Sequence, residues 1–333
     1  MPLRARRKTR DMSLRLSGRP QRSLRFDRKA IALMIAGMSA AGGTGLLAVM
    51  PPLSASPFVQ VPDSKLFYQE CGSGSDAVVL IHDGVVDSAV WNDVWPTLCE
   101  QFHVIRYDRR GFGRSPAATS WYSEVDDLAA ILRTTRVKRA TLVGSSHGGE
   151  ISIDFALAHP ELVKGLVLVG AVVSGFSYSE HFVVRGSSIA EPIRKGDVPN
   201  GLKTLANDRY LIAPGSDAAR RKLIDLLTAN PQDATHPDRA IPPKPAFPRL
   251  NEIRISTLIL VGEADIPDVH AHAGAIEAGI PNARRVVVSG TGHLMYLEKP
   301  EEFSRIVLNF IETNKDLPSD PISPSPTVGL QHN

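Results

Sequence analysis

The sequence predicts an α/β protein in which a mostly parallel sheet is flanked by helices. Short apolar runs, each of a length that suits one buried strand, alternate with segments whose apolar residues recur at helical spacing. This alternation is typical of parallel strands, because a helix carries the chain back to the start of the next strand. A long proline-rich interval interrupts the rhythm and indicates a small helical lid inserted between two strands.

Six apolar runs predict strands, and an antiparallel hairpin over residues 58–74 is expected ahead of them. Helices are expected between the strands, and the last helix opens at Pro300, where a missing N–H is tolerated. The predicted strands cover residues 77–82, 103–108, 139–144, 163–170, 256–262 and 284–290, and the predicted helices cover residues 93–101, 123–136, 148–160, 218–230 and 300–314.

The composition divides the chain into three regions. Residues 1–56 are a basic N-terminus followed by an apolar segment, residues 57–313 are the α/β domain with its lid over about residues 174–254, and residues 314–333 are a polar tail expected to be disordered. The first 29 residues carry a net charge of about +9, and residues 30–50 carry no charge. This order predicts a signal peptide for export to the periplasm or the medium, and a membrane anchor formed by residues 30–50 is the alternative.

The rest of the sequence limits the partners and cofactors. After residue 29 the net charge is about −6, so the overall pI of about 8.9 gives no argument for nucleic acid. No clustered Cys/His set and no phosphate-binding loop is present, so neither a metal nor a nucleotide cofactor is predicted. Cys71 and Cys99 suit one disulfide in an oxidising compartment, and two buried free thiols are the alternative.

The segment GSSHGG, residues 144–149, follows a predicted strand and opens a predicted helix. It matches G-x-S-x-G with Ser146 at the centre, and the strand–turn–helix setting is the one that this motif requires. Its glycines suit a strained turn without room for neighbouring Cβ atoms, and a helix N-terminus adds N–H groups and a positive partial charge. An ordinary glycine-rich turn is the alternative. We expect Ser146 to be a nucleophile exposed above the sheet.

A histidine and three acids follow the last two predicted strands. His293 lies in a glycine-bearing loop after the last strand, and Glu263, Asp265 and Asp268 follow the strand before it. Because the carboxyl ends of parallel strands meet at one edge of a sheet, a serine, an acid and a histidine on three strands can meet there. Glu263 is close to the strand end and Asp268 lies deeper in the loop, so Asp265 is favoured. The predicted triad is Ser146, His293 and Asp265.

Five motifs follow one another in order: HDGVVDSAVW at residues 82–91, DRRGFGRS at 108–115, GSSHGG at 144–149, GEAD at 262–265 and GH at 292–293. Together they resemble the α/β-hydrolase superfamily, and within it the branch of esterases, lactonases and perhydrolases. The resemblance spans about residues 58–313. It is highly specific for the α/β-hydrolase fold and much less specific for the substrate.

The resemblance also implies an oxyanion hole, from which this chain departs at one residue. The family begins its first motif with His-Gly, whereas here His82 is followed by Asp83 and then by Gly84. The family pattern implies that the backbone N–H groups of Gly84 and His147 hold the oxyanion, and a backbone donor needs no particular side chain. An inward Asp83 would oppose the oxyanion by its charge. We expect it to face outward, to cap its own loop or to be held by a basic neighbour such as His147.

The implied activity is that of a serine hydrolase that forms an acyl-enzyme with a small or medium carboxylic ester or lactone. The lid residues Phe176, Tyr178 and Tyr210 are expected to line an acyl cavity or to pack the lid onto the core. The same triad could cleave a C–C bond, an amide or a thioester, or support perhydrolysis. Outside catalysis, the alternative is a ligand-binding relative that keeps the fold and turns over slowly.

Overall fold

The predicted strands form one eight-stranded sheet in the computed structural model of the protein, which describes residues 57–314. In chain order they are β1 (Phe58–Val61), β2 (Ser64–Cys71), β3 (Ala77–Ile81), β4 (His103–Tyr107), β5 (Ala140–Ser145), β6 (Val163–Val169), β7 (Thr257–Gly262) and β8 (Ala283–Val288). Across the sheet they lie in the order β1-β2-β4-β3-β5-β6-β7-β8. β2 is antiparallel to both β1 and β4, and every other pair is parallel.

Helices cover both faces of this sheet. In chain order they are α1 (Trp95–Cys99), α2 (Glu124–Thr134), α3 (His147–Ala158), α4 (Glu180–Arg194), α5 (Val198–Ala206), α6 (Asp217–Ala229), α7 (Pro267–Gly279), α8 (Met295–Glu298) and α9 (Pro300–Thr313). One apolar cluster joins the sheet to α2, α3 and α7. A second cluster joins the opposite face to α1, α8 and α9. The result is a three-layer α/β structure.

The central strands are apolar along their whole length because both of their faces are covered. All five residues of β3 are buried. Val79 and Ile81 enter the cluster under α2, α3 and α7, whereas Val78 and Leu80 enter the cluster on the opposite face. Successive side chains of a strand point to opposite faces of the sheet, so the residues of one apolar run pack alternately into two cores. This is why the sequence shows uninterrupted runs in place of an alternating pattern.

The interval between β6 and β7 folds as a helical lid. It contains α4, α5 and α6. α4 buries no residue, whereas α5 and α6 bury apolar side chains such as Leu202 and Leu223 in the cluster of α1, α8 and α9. A cavity of about 630 Å³ opens between α5, α6 and the short 3-10 helix Pro231–Ala234.

The predicted fold class is confirmed, since the structure has the α/β-hydrolase arrangement with a mostly parallel sheet and a helical insertion. The six predicted parallel strands agree with β3 to β8 to within two residues at each end. Four helices, α4, α5, α7 and α8, are not predicted by the sequence pattern. α4 contains Gly186 and Pro192, and α7 has a mixture of alanine, glycine and histidine without a clear apolar stripe, so neither gives a strong helical pattern.

Two predictions from the sequence lie outside the described residues. The signal peptide or anchor is placed within residues 1–56, and the polar tail is placed within residues 314–333, of which the structure describes only the first. Within residues 57–314, no helix has the length and apolar character needed to cross a membrane.

The two cysteines form a disulfide. Cys71 ends β2 and Cys99 ends α1, and their Cα atoms are 5.5 Å apart, a usual separation for a bridged pair. Of the two states that the sequence leaves open, the structure shows the paired one. The bridge closes a segment with a sequence separation of 28 residues and ties the first helix to the edge of the antiparallel hairpin.

Replacing both cysteines, Cys71→Ser with Cys99→Ser, is expected to lower the free energy of unfolding by about 2 to 4 kcal/mol, because the unfolded chain regains the freedom that the closed loop removes. Urea unfolding of the oxidised protein and of the double variant measures this difference. The reduced wild-type protein is the control and is expected to match the double variant. Equal midpoints for oxidised and reduced protein would contradict the prediction.

Candidate active site

Ser146 lies in the turn between β5 and α3, at the carboxyl edge of the sheet. Its backbone angles are φ 52° and ψ −115°, a conformation that residues with a side chain rarely adopt. The turn is held on both sides. The Ser146 N–H donates to the carbonyl of Val169 on β6 at 2.8 Å, and its carbonyl accepts the N–H groups of Gly149 at 2.9 Å and Glu150 at 3.1 Å. A strained turn held in this way has the geometry of a nucleophile elbow.

Gly148 and Gly170 allow close backbone and side-chain approaches at the carboxyl edge of the sheet. A Cβ on Gly148 would lie 2.3 Å from the carbonyl oxygen of Ile81, so α3 can begin close to the end of β3 only without a side chain there. Gly170 follows β6 with φ 52°, and a Cβ at this position would lie 2.9 Å from Cε1 and Nδ1 of the His293 ring. Because β6 also holds the Ser146 turn, the serine turn and the histidine ring both lie next to the end of this strand.

The imidazole of His293 is paired with a buried carboxylate. Its Nδ1 lies 2.8 Å from Oδ2 of Asp265, and the N–H of Ile266 donates to Oδ1 of the same carboxylate at 2.7 Å. Since Nδ1–H is donated to a carboxylate, Nε2 is left as the basic nitrogen. Burial alone would lower the pKa of His293, but the charge and hydrogen bond of Asp265, together with the charge of Asp83, raise it above its ordinary value.

Of the three acids that the sequence offers, the structure joins Asp265 to His293 and places the other two elsewhere. Glu263 is exposed and accepts two hydrogen bonds from the loop after β8. Asp268 accepts the N–H of Ser179 at 2.6 Å and its hydroxyl at 2.8 Å. Asp268 therefore fastens the start of the lid helix α4 to the core.

The lid also fixes the loop that carries His293. The His293 N–H donates to the carbonyl of Tyr210 at 2.7 Å. The Glu298 carboxylate accepts the N–H of Gly292 at 2.6 Å and that of Ala213, which belongs to the lid, at 2.8 Å. This contact of Glu298 is not predictable from the sequence, because a single glutamate forms no motif by itself.

The two amides expected to form the oxyanion hole lie beside each other. A Cβ on Gly84 would stand 3.9 Å from the Cβ of His147, so the loop after β3 passes the turn after β5 at contact distance. His147 is the first residue of α3, and the N–H of a first helical residue has no acceptor within the helix. Within residues 57–314, the N–H of Gly84 donates to no protein acceptor. Both N–H groups can therefore meet a substrate oxygen.

Asp83 points inward, which corrects the expectation that it faces outward or is held by His147. Its carboxylate is buried. Oδ1 accepts the N–H groups of Val85 at 2.6 Å and Val86 at 3.1 Å, and Oδ2 accepts the Tyr296 hydroxyl at 2.9 Å. The loop cap that the sequence also allowed is thus present. Burial raises the pKa of Asp83, and these three donors oppose the rise.

The His147 side chain lies in a cluster of four charged groups, in which its Nδ1 is 3.3 Å from a carboxylate oxygen of Glu150 on α3. Its Nε2 lies 2.7 Å from a carboxylate oxygen of Glu124 on α2, and Glu124 also pairs with the guanidinium of Arg109 at 2.9 Å. Burial and Arg109 would lower the pKa of His147, but Glu124 outweighs them and raises it to about 9. Burial opposes the charge of Glu124, yet Arg109 and His147 hold its pKa at about 2. At neutral pH a protonated His147 therefore stands next to Ser146.

The motif after β4 braces the loop of the oxyanion hole. The His82 ring donates through Nδ1 to the carbonyl of Asp83 at 2.8 Å and accepts the N–H of Arg109 through Nε2 at 2.9 Å. Burial and the charge of Arg109 lower the pKa of His82 well below its ordinary value, so the ring is neutral. Arg110 forms two hydrogen bonds to the buried carboxylate of Asp127 on α2, at 2.7 and 2.8 Å. The loop after β4 is therefore bonded to the oxyanion loop through Arg109 and to α2 through Arg110.

The three lid residues expected near the substrate make packing or backbone contacts. Phe176 lies edge-on to Phe247 with ring centroids 5.0 Å apart, and Tyr178 stacks on Phe182 at 4.4 Å. Tyr210 gives its backbone carbonyl to the loop after β8. None of the three lines the cavity of about 630 Å³. Contact of these side chains with substrate stays a prediction.

This edge brings together the groups of a serine hydrolase site, although within residues 57–314 the Ser146 hydroxyl makes no hydrogen bond to His293. A serine in a strained turn, a histidine with a free Nε2, a buried carboxylate partner and two unused N–H groups are the parts needed for attack on a carbonyl carbon. In the part of the chain that the structure describes, no group of three or more His, Cys, Asp or Glu is arranged to hold a metal ion.

Comparison with known proteins agrees with this geometry. The sequence pattern described as the alpha/beta hydrolase family matches residues 78–306. The chain belongs to this family. Residues 78–306 include β4 to β8, all of β3 except Ala77, and all of the candidate site residues, so the membership rests on the region that forms the site.

The curated relatives of this alpha/beta hydrolase have low sequence identity to it, but the matches extend over nearly the whole length of each relative. A 2-hydroxy-6-oxononadienedioate/2-hydroxy-6-oxononatrienedioate hydrolase of Paraburkholderia xenovorans is 26% identical over 289 residues, which are 80% of this chain and 99% of the relative. A pimeloyl-[acyl-carrier protein] methyl ester esterase of Yersinia pseudotuberculosis is 24% identical and covers 75% of this chain and 99% of the relative.

Solved structures of esterases share the fold of the hydrolase. Est816, described as an N-acyl homoserine lactone degrading enzyme, superposes with a TM-score of 0.63 and is 26% identical, with 76% of this chain and 100% of that chain covered. The esterase RhEst1 from Rhodococcus sp. ECU1013 gives a TM-score of 0.64 at 26% identity, with 77% and 98% covered. The similar proteins thus include both ester or lactone hydrolases and hydrolases of an oxo-dienedioate.

Asp265→Asn is expected to lower kcat of the hydrolase by about 10³- to 10⁴-fold, because an amide both removes the charge that stabilises the imidazolium and favours the wrong tautomer of His293. Glu263→Gln is the matched control, since this acid lies in the same loop without contact to the ring. Its kcat is expected to stay within about threefold of the wild-type value. Steady-state kinetics on one ester measures both, and an equal loss in the two variants would contradict the assignment of Asp265.

Proposed function

We propose that the protein is a serine hydrolase that cleaves a small or medium carboxylic ester or lactone. The observation that carries this proposal is the strained Ser146 turn, held by β6 next to a His293 ring that is itself paired with the buried Asp265. Strain of this kind costs free energy and persists at sites where the side chain must be presented to a reactant. The His293–Asp265 pair supplies the base that a serine hydroxyl needs to become a nucleophile.

In the proposed reaction, the hydroxyl of Ser146 attacks the carbonyl carbon while Nε2 of His293 takes its proton. Asp265 stabilises the imidazolium that forms. The oxyanion is held by the N–H groups of Gly84 and His147. His293 then gives its proton to the leaving oxygen, which departs as an alcohol, and a water molecule repeats the cycle on the acyl-enzyme to release the acid.

The charge on the His147 side chain favours the same step. The imidazolium lies on the residue that donates one of the two oxyanion N–H groups, and Glu124 keeps it protonated. The positive charge of the imidazolium lowers the energy of a developing oxyanion nearby, and the carboxylates of Glu124 and Glu150, at 2.7 and 3.3 Å from the ring, reduce this effect. The imidazolium offsets part of the unfavourable field of Asp83, which precedes the other donor, Gly84.

The ester or lactone assignment is supported by the structural relatives. Est816 is described as degrading N-acyl homoserine lactones, RhEst1 is described as an esterase, and both are 26% identical to this chain. The short lid of three helices is consistent with a substrate smaller than a long-chain triglyceride, an inference by analogy with other lidded hydrolases. Tests on the panel below separate esters from lactones.

A C–C hydrolase is the second candidate, and one observation favours it. The Paraburkholderia xenovorans relative, at 26% identity over 80% of this chain, is named for hydrolysis of an oxo-dienedioate. The same nucleophile and base would serve a ketone in place of an ester carbonyl, because both present a carbonyl carbon to Ser146. An oxo-dienedioate substrate therefore belongs in the test panel beside the esters.

Export is a further part of the proposal. It is supported by the Cys71–Cys99 disulfide, since such bonds persist in oxidising compartments, and by the basic and apolar order of the first 50 residues. Fractionation of cells that express the full chain tests it. We expect a protein shortened at its N-terminus in the soluble periplasmic or secreted fraction, whereas full-length protein in the membrane fraction would indicate an anchor, and cytoplasmic protein would contradict export.

Hydrolysis of p-nitrophenyl acetate and butyrate, of a short N-acyl lactone and of an oxo-dienedioate by wild type and Ser146→Ala tests the proposed activity. We expect turnover of a short ester or lactone by the wild type and a loss of about 10³-fold or more in Ser146→Ala. Thermal unfolding of Ser146→Ala controls for loss of the folded state. A fluorophosphonate probe is expected to label the wild type at Ser146.

Three other results have distinct meanings. Turnover of the oxo-dienedioate alone would favour the C–C hydrolase. Turnover that persists in Ser146→Ala would contradict the proposed nucleophile. A wild type that neither hydrolyses any member of the panel nor reacts with the probe would contradict the serine-hydrolase proposal and favour a ligand-binding relative.

A further inference from the structure

The hydroxyl of Tyr296 lies where three segments of the candidate site meet. It donates to Oδ2 of Asp83, which directly precedes the oxyanion donor Gly84, at 2.9 Å. It also lies 2.9 Å from the hydroxyl of Ser145, which directly precedes Ser146. Tyr296 itself follows His293 by three residues. The Tyr296 hydroxyl thus contacts both the oxyanion loop and the residue before the nucleophile. Tyr296 itself lies in the segment that carries the base, His293.

The direction of these hydrogen bonds follows from the donors available. A phenol carries one proton, and a charged carboxylate can only accept. The Tyr296 proton therefore goes to Asp83, and the Ser145 hydroxyl must donate to the Tyr296 oxygen. The second carboxylate oxygen of Asp83 is filled by the N–H groups of Val85 and Val86. The chain runs from Ser145 through Tyr296 to Asp83 with a single order of donors and acceptors.

Packing leaves this chain little freedom. Ser145, Tyr296 and Asp83 are fully buried. The Tyr296 ring lies against Trp91 with centroids 4.3 Å apart and against Phe303 at 5.7 Å. A buried polar chain with all its members satisfied is rigid, because each broken bond would leave an unpaired group without access to water.

We propose that Tyr296 and Asp83 are positioning residues that set the distance between the oxyanion donors, Ser146 and His293 through this buried chain. The proposal rests on the proposed serine-hydrolase function. It explains how a carboxylate can stand at Asp83, where the family resemblance implies glycine. Through its carboxylate, Asp83 connects the oxyanion loop to Tyr296, and through Tyr296 to Ser145 beside the nucleophile.

The charge of Asp83 adds an effect that can be measured separately. Asp265 is hydrogen-bonded to the His293 ring at 2.8 Å, and Asp83 is hydrogen-bonded to Tyr296, three residues after His293. Arg185 lies on α4, where it pairs with Asp208. Asp265, Asp83 and Arg185 all act on the charge of His293. The two carboxylates favour the imidazolium and Arg185 opposes it, so loss of the Asp83 charge lowers the pKa of His293. His293 acts as a base only when neutral. The acid limb of the pH profile therefore moves to lower pH when Asp83 becomes neutral.

Two substitutions separate position from charge. Tyr296→Phe keeps the ring against Trp91 and removes the hydroxyl, so both of its hydrogen bonds are lost. Asp83→Asn removes the charge but can keep the chain in reversed order, since its amide can donate to Tyr296 and Tyr296 can then donate to Ser145. Tyr68→Phe is the matched control, because Tyr68 is a buried tyrosine on β2, away from the three segments.

The experiment measures kcat, KM and the pH dependence of kcat/KM for a short p-nitrophenyl ester in the full-length protein. We expect Tyr296→Phe to lower kcat by about 10- to 100-fold with little change in KM, as for a small misplacement of reacting groups. Asp83→Asn is expected to lose less kcat and to move the acid limb to lower pH. Tyr68→Phe is expected to match the wild type. Thermal unfolding verifies that each variant is folded.

Unchanged kcat in a folded Tyr296→Phe, with an active wild type, would overturn the positioning role. An acid limb that does not move in Asp83→Asn would overturn the effect of its charge. Failure of the proposed function gives a different result, namely a wild type without Ser146-dependent turnover. In that case NMR titration of His293 still decides the proposal, since Asp83→Asn must lower its pKa and Tyr296→Phe must alter the low-field resonance of its Nδ1 proton.

Discussion

The parallel pairing of β5 with β6 is the constraint on which the candidate site depends. Ser145 is the last residue of β5 and pairs with Val169, and the hydrogen bond from Ser146 to Val169 continues this pairing into the turn. Backbone strain of about 1 to 3 kcal/mol at a residue such as Ser146 persists only where its surroundings fix it. β7 and β8 continue the parallel sheet beside β6. The loops of Asp265 and His293 therefore leave the sheet at the same carboxyl edge as the serine turn.

The sequence predicted the parts of this edge that depend on glycine and on strand order. Ser146 and His293 each stand among glycines directly after an apolar run, and that local pattern is readable because the backbone permits few other residues there. The choice of Asp265 needed more than the pattern, since Glu263 and Asp268 follow the same strand, Asp268 in the first turn of α7. The orientation of Asp83 was not readable, because it is decided by Tyr296, a residue 213 positions away in sequence. Long-range contacts of this kind leave no local signal.

In the lid, a helix was predictable from the sequence only where it buries an apolar face. α6 was predicted because its apolar residues recur at helical spacing, and two of them, Leu223 and Leu227, are buried. α4 buries no residue, so packing imposes no apolar stripe on its sequence. The hydrogen bonds from Ser179 to Asp268 fix its start, and Phe182 packs against the core while it stays half-buried. A helix with few and only half-buried apolar contacts is hard to predict from periodicity.

Asp83 raises the question of how a carboxylate can stand beside an oxyanion hole. In the proposed reaction its negative charge opposes charge on the substrate oxygen and favours charge on His293, and both charges would develop in the same step. The two effects therefore partly cancel in the transition state, while the imidazolium of His147, kept protonated by Glu124, favours the oxyanion. Three buried donors to Asp83 reduce its field further. The site can thus keep the carboxylate and gain the fixed geometry that its hydrogen bonds provide.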